Sequence, residues 1–221
     1  MSSINIKNAL STQRLGTYES VLCHGVNLST EQALKLYACN SMISFAFMSP
    51  LQIFEVVLRN AVSDALERKY GSSWPWNSSF EGSLPNPRNA YSPKRDLQNA
   101  KRDLAQGASG KVIAELKFVF WERLLTRRFD DRIWNSHLFD VFPNADSSLG
   151  VSNVRNDLRS MTESVRGLRN RIAHHEPIIS RSLHDDLQTA FKIIEYRCND
   201  TKDWALSFQH VKQLLEVKPF E

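Results

Sequence analysis

The sequence predicts an all-α fold, and three observations carry that expectation. Gly and Pro are sparse, eight of each in 221 residues, so long stretches run without a turn signal. No stretch alternates apolar and polar residues for long, as a half-buried strand would. Apolar residues recur instead three and four positions apart, the period of a helix with one buried face.

The elements follow in order. Residues 1–28 read as a short N-terminal extension, loosely structured with room for one helix, and the helical domain is expected over 29–221. Ser29 or Thr30 can cap a helix that starts at Glu31 and runs through Ala33, Leu34, Leu36 and Tyr37 towards Phe47. Pro50 is expected to open the next helix, because proline is tolerated in a first turn. That helix has a seam of Leu51, Phe54, Leu58, Ala61 and Ala65, and Gly71 ends it. Residues 71–93 hold Trp74, Pro75, Trp76, Pro85 and Pro87 among Ser, Asn and Gly. They read as a long loop tacked to the body by its Trp pair.

Ser92-Pro93 is expected to open a helix carrying Lys94, Arg95, Lys101 and Arg102. After Gly107 and Gly110 comes the most apolar helix, with Val112, Ile113, Leu116, Val119, Phe120 and Leu124. Ile133 and Trp134 fall in a short helical piece, and 143–150 is rich in turn residues. A long helix is expected from about Ser152, where Val154, Leu158, Met161, Val165, Leu168 and Ile172 form a seam of ~3.5-residue period. One helix beginning near Ser182 and another ending near Leu215 close the chain.

Composition narrows the function classes. Lys and Arg number 28 against 24 Asp and Glu, a net charge of +4. That is mildly basic and permits a nucleic-acid partner without demanding one. The three cysteines (Cys23, Cys39 and Cys198) are widely spaced, with no CxxC. This argues against a disulfide framework and a zinc site, and suits a reducing cytoplasm. No apolar run in the sequence approaches the ~20 residues of a membrane span, and residues 1–10 lack a signal-peptide core. No metal or other cofactor is expected.

The most informative string is Arg169-Asn170-Arg171-Ile172-Ala173-His174-His175-Glu176, at the end of the long seam and just before Pro177. Arg and His are sufficient to cut RNA without a metal: a His moves a proton, and an Arg holds the phosphate and answers its transition-state charge. The same residues also suit a polar helix terminus, where cations meet the negative end of the dipole. A second string is Glu55-Val56-Val57-Leu58-Arg59-Asn60. Glu55 and Arg59, four apart, share a helix face and can pair beside Val62 and Leu66. That pair reads either as a partly buried helix salt bridge or as part of a cleft.

These two strings, with Trp74, Trp76 and Phe120-Trp121, resemble the Abi-like family of bacterial abortive-infection proteins. That family belongs to the HEPN superfamily of all-helical ribonucleases and RNA-binding proteins. The resemblance covers about residues 30–217 and implies a HEPN-like helical bundle with extra helices and a long Trp/Pro-containing loop. Arg169 and His174 match the family's R-x4–6-H motif, and Asn170 matches its polar residue; His175 also satisfies the spacing. The resemblance implies a metal-independent endoribonuclease of anti-phage defence, with Arg169, Asn170, His174 and His175 catalytic. The alternative it leaves open is a non-catalytic RNA-binding protein, such as the protein half of a small-RNA complex. Glu55, Arg59, Asn60, Arg171, Lys94 and Arg95 are candidate RNA contacts. An antitoxin or regulatory RNA is a further candidate partner.

Five residues of helix turn through ~500°, so on a regular helix His174 points ~140° away from Arg169. Either the helix loosens before Pro177 or two chains bring their motifs together. The resemblance implies the second, a homodimer with a composite cleft.

Overall fold

The computed structural model describes residues 2–21 and 28–216; Cys23 and the expected end of the domain, 217–221, lie outside them. The described residues contain helices and no strand, so the all-α expectation is met. In chain order the α-helices are α1 (Ser3–Leu10), α2 (Thr12–Val21), α3 (Thr30–Tyr70), α4 (Ser78–Ser83), α5 (Pro93–Ala100) and α6 (Ser109–Glu115). They continue as α7 (Phe118–Leu124), α8 (Asn135–Val141), α9 (Val151–Ala173), α10 (Leu183–Arg197), α11 (Asn199–Phe208) and α12 (Val211–Glu216).

The bundle is organised on α3, which packs against α1, α2, α7, α8, α9, α10 and α12. Ser29 caps it in a reciprocal box with Gln32, and Gly71 ends it at φ 82° with its N–H on the Glu67 carbonyl. The sequence predicts two helices here, divided at Pro50; the structure has one, 41 residues long, with Pro50 inside it. A mid-helix proline costs about 3 kcal/mol. Phe47, Leu51 and Phe54 lie on one seam across it and are buried in one core. Burying each side chain stabilises by about 1.5–3 kcal/mol, so the common seam outweighs the local penalty.

By length and composition α3 is also apolar enough to cross a membrane: an 18-residue window has mean hydropathy 1.6, with 33% of it buried in the fold. No unbroken apolar run of that length is present, because Ser44, Ser49, Gln52 and Glu55 interrupt the apolar letters, but they do not bring the mean down. Over its length α3 supplies much of the core, from Ile43 to Leu66.

The other departures are local. Residues 3–21, expected as a loose entry, form α1 and α2, and α2 packs on α3 through a small core of Leu15, Tyr18, Ala33 and Leu36. The 71–93 loop contains a helical turn at Trp74–Trp76 and the short α4. Trp74 anchors it, buried against Phe80 and Trp121 with its indole N–H donating to Ser63 Oγ at 3.1 Å. The helix expected through Val112 and Leu124 is broken at Leu116 and Lys117, both extended. The Lys117 N–H leaves the helical ladder for the Asp96 carboxylate at 3.4 Å. No Gly or Pro marks that break.

The long seam is as expected. Val154, Leu158, Val165, Leu168 and Ile172 of α9 are buried, and Met161 packs against the same core. Arg155, on another face of α9, grips the Asp130 carboxylate with two bonds of 2.8 and 3.0 Å. Asp130 opens a single π-helical turn (Asp130–Trp134) that leads into α8. These contacts fix the axis of the helix that ends in the RNRIAHHEP string.

Candidate active site

The end of α9 is built by its own residues. The helix stops at Ala173, and His174 is its cap at φ −93°, ψ 9°. His175 then takes the left-handed conformation, φ 56°. Its N–H bonds the Ile172 carbonyl at 3.0 Å, and the Glu176 N–H bonds the Arg171 carbonyl at 2.8 Å. This pair of bonds defines a Schellman motif, in which glycine usually holds the left-handed position. A residue with a Cβ costs about 1–2 kcal/mol there, so outside contacts must hold the turn. Arg14 of α2 donates to the His175 carbonyl at 2.6 Å. The Asn40 side chain accepts the Ile178 N–H at 2.7 Å, and Arg171 Nε donates to the Pro177 carbonyl at 3.0 Å.

The helix therefore does loosen before Pro177, but not so as to bring Arg169 and His174 together. Both histidine side chains are exposed. Among the described residues neither bonds Arg169. Arg169 turns instead to α3. Its Nε lies 3.6 Å from a Glu55 carboxylate oxygen, joining α9 to α3. The two strings singled out in the sequence thus meet, through a pair the sequence did not foresee.

That pair lines an open cleft of about 410 Å³ with Asn170, Arg166, Lys117 and Phe118. Arg166 is engaged by the carboxylate of Glu122, which is 1% exposed. Lys117, 71% exposed, and Arg169 are left as the cations most open to a ligand, with Glu55 opposite. The cleft can hold an anion on guanidinium and ammonium groups, with the Asn170 amide beside them.

The remaining candidates are dispersed. Arg59 does not pair with Glu55, against the sequence expectation: Glu55 is turned to Arg169, and the buried Arg59 Nε has no hydrogen-bond partner among the described residues. Neither Arg59 nor the exposed Asn60 lines the cleft; Arg59 sits one helical turn from Glu55. Arg171 is drawn over the turn, 3.7 Å from the Glu176 carboxylate. Lys94 and Arg95 lie on α5, and Arg95 pins the preceding loop by donating to the Pro87 carbonyl at 2.6 Å and to that of Ala90 at 3.3 Å.

Sequence reasoning missed Lys117, Arg166, Asn40 and Arg14. Arg166 had a signal, lying three residues before Arg169 on one helix. The other three are brought in by tertiary packing. Among the described residues His, Cys, Asp and Glu form no group of three or more able to hold a metal ion.

Because the buried Arg59 N–H has no bond to lose, Arg59→Met is expected to shift stability by no more than about 1 kcal/mol. If Arg59 contacts RNA beside the cleft, the same variant binds RNA more weakly. Thermal unfolding and filter binding on one preparation check both, and unchanged affinity removes Arg59 from the site.

Comparison of the chain with protein-family models, with curated proteins and with solved structures finds no match in any of the three.

Proposed function

We propose that this chain is a metal-independent endoribonuclease of the HEPN type, acting in bacterial anti-phage abortive infection. The observation that carries the reading is the ion pair of Arg169 and Glu55 in an open cleft. It brings both family-like strings to one place beside an anion-holding Arg. In this mechanism Arg169 binds the scissile phosphate, and a histidine of the 174–175 turn moves the proton. The 2′-oxygen attacks the adjacent phosphorus as its proton is taken up. The P–O5′ bond breaks, and the leaving oxygen is protonated. The products are a 2′,3′-cyclic phosphate and a 5′-hydroxyl. End-group analysis of RNA incubated with the purified protein tests this. Intact RNA at all protein concentrations overturns it.

Since no bond joins Arg169 to His174 or His175 among the described residues, the reading includes a homodimer whose two copies share a cleft. A surface suited to that role adjoins the site. Phe45, Met48, Gln52 and Glu55 follow three, four and three residues apart on one face of α3. Phe45 is 82% exposed, Met48 52% and, beside them, Met42 57%. Trp204 of α11, 60% exposed, flanks Gln52 and Val56 across an open groove of about 500 Å³. An exposed apolar stripe of this kind marks an interaction surface. A second copy seated on it abuts the Glu55 end of the cleft. Phe45→Glu is expected to give a folded monomer by light scattering and to abolish cleavage. A monomer that cleaves at the wild-type rate refutes the composite site.

One observation favours the second reading, a non-catalytic RNA-binding protein: among the described residues no histidine bonds Arg169, which is turned to Glu55. It predicts tight RNA binding with no new ends. The ribonuclease reading also puts the protein in the cytoplasm, with an antitoxin or regulatory RNA as its control.

A further inference from the structure

We infer that Arg14, in the N-terminal segment outside the HEPN-like region, is a positioning residue that holds the His174–His175 turn in its left-handed form. The functional side of this inference rests on the ribonuclease reading above.

The contact is short and specific. Arg14 Nη1 donates to the His175 carbonyl at 2.6 Å. His175 is the residue at φ 56°, the one whose backbone conformation a side chain disfavours. Moving His175 out of the left-handed region re-aims its carbonyl, so a bond to that oxygen favours the left-handed form over its alternatives. With a guanidinium as donor the bond is about twice as strong as a neutral one. Among the described residues Arg14 is the one side chain bonded to His175.

The clamp has a firm base. One residue past Arg14, Leu15 is fully buried, and Tyr18 is 1% exposed, in the small core with Ala33 and Leu36. Ile179, just beyond the turn, packs against that core and the main one. Asn40 of α3 holds the Ile178 N–H. The segment after α9 is thus fixed to α3 on one side of His175, and α2 fixes the carbonyl of His175 itself. Arg14 is only half-buried and lies outside both cores, so its loss opens no cavity. What it controls is where the two imidazoles point relative to an RNA held at Arg169.

The test uses the full chain with Arg14→Gln and Arg14→Lys. Three quantities are read: steady-state cleavage of a fluorogenic single-stranded RNA, amide hydrogen exchange along α9 and its end, and thermal unfolding. Arg14→Gln is expected to lower kcat by about 10- to 100-fold, the scale of a misaligned catalytic group. KM should change little, because the Arg169 cleft is untouched. Exchange at His175 and Glu176 should quicken while that at Leu168 stays slow, and Arg14→Lys, which keeps a cationic donor, should recover part of kcat. Wild-type exchange at 175–176 in Arg14→Gln overturns the inference, whatever happens to kcat. So does exchange that quickens throughout α9 with a lowered unfolding midpoint, which marks general destabilisation. If the wild-type protein cleaves no RNA but 175–176 still loosen in Arg14→Gln, the clamp stands and the ribonuclease reading falls.

Discussion

His174→Ala is expected to lower RNA cleavage by about 10²- to 10⁴-fold, the usual worth of one proton-transfer group. The fold should survive. His174 serves the helix end through its backbone, its N–H bonding the Asn170 carbonyl at 2.9 Å, and its exposed side chain packs in no core. Such surface substitutions shift stability by about 0.5 kcal/mol or less. His175 calls for a different substitution. Alanine would leave the left-handed strain in place, whereas His175→Gly removes both the imidazole and the strain, and should stabilise by up to about 1–2 kcal/mol. If His174 moves the proton, His175→Gly is more stable and still active. If His174→Ala cleaves at the wild-type rate and His175→Gly does not, the role belongs to His175. Wild-type cleavage by both variants removes the histidine turn from the mechanism.

The sequence carried most of what is periodic and little of what is tertiary. The α9 seam, the Ser92 cap and the Gly71 stop were readable, because spacing and capping are local properties, and α10 starts after Ser182 without a side-chain cap. The continuity of α3 through Pro50 was not: a proline signals a break locally, and only burial of the whole seam in one core overrides it. The break at Leu116 and Lys117 was hidden for a related reason: no Gly or Pro marks it, and the Lys117 N–H finds its partner in an Asp96 carboxylate of another helix. At the site, i,i+4 spacing suggested that Glu55 pairs with Arg59, but α9 brings Arg169 to Glu55 instead. The left-handed His175 had no signal of its own, because nothing in a histidine announces that conformation. Its support comes from Arg14, 161 positions away in the chain.

Arg169→Ala is expected to lower cleavage by about 10²- to 10³-fold, the cost of deleting one donor aimed at transition-state charge, and to weaken RNA binding as well. The fold does not depend on this side chain. Its contact with Glu55 is long, at 3.6 Å, and the two side chains are 45% and 29% exposed. Solvent screens such pairs to about 0–1 kcal/mol, so a thermal unfolding midpoint near wild type is expected. Arg169→Lys should rescue only in part. With Nε turned to Glu55, the two terminal nitrogens of the guanidinium remain to grip two phosphate oxygens at once, while an ammonium is a point charge that Glu55 can neutralise. Glu55→Gln separates charge from geometry. It frees Arg169 from its carboxylate, so RNA should bind more tightly if Glu55 only competes with the phosphate. If Glu55 instead aims the guanidinium, binding should hold while kcat falls. Full rescue by lysine would show that net positive charge alone is needed at position 169. Wild-type cleavage by Arg169→Ala would move the phosphate site away from this cleft altogether.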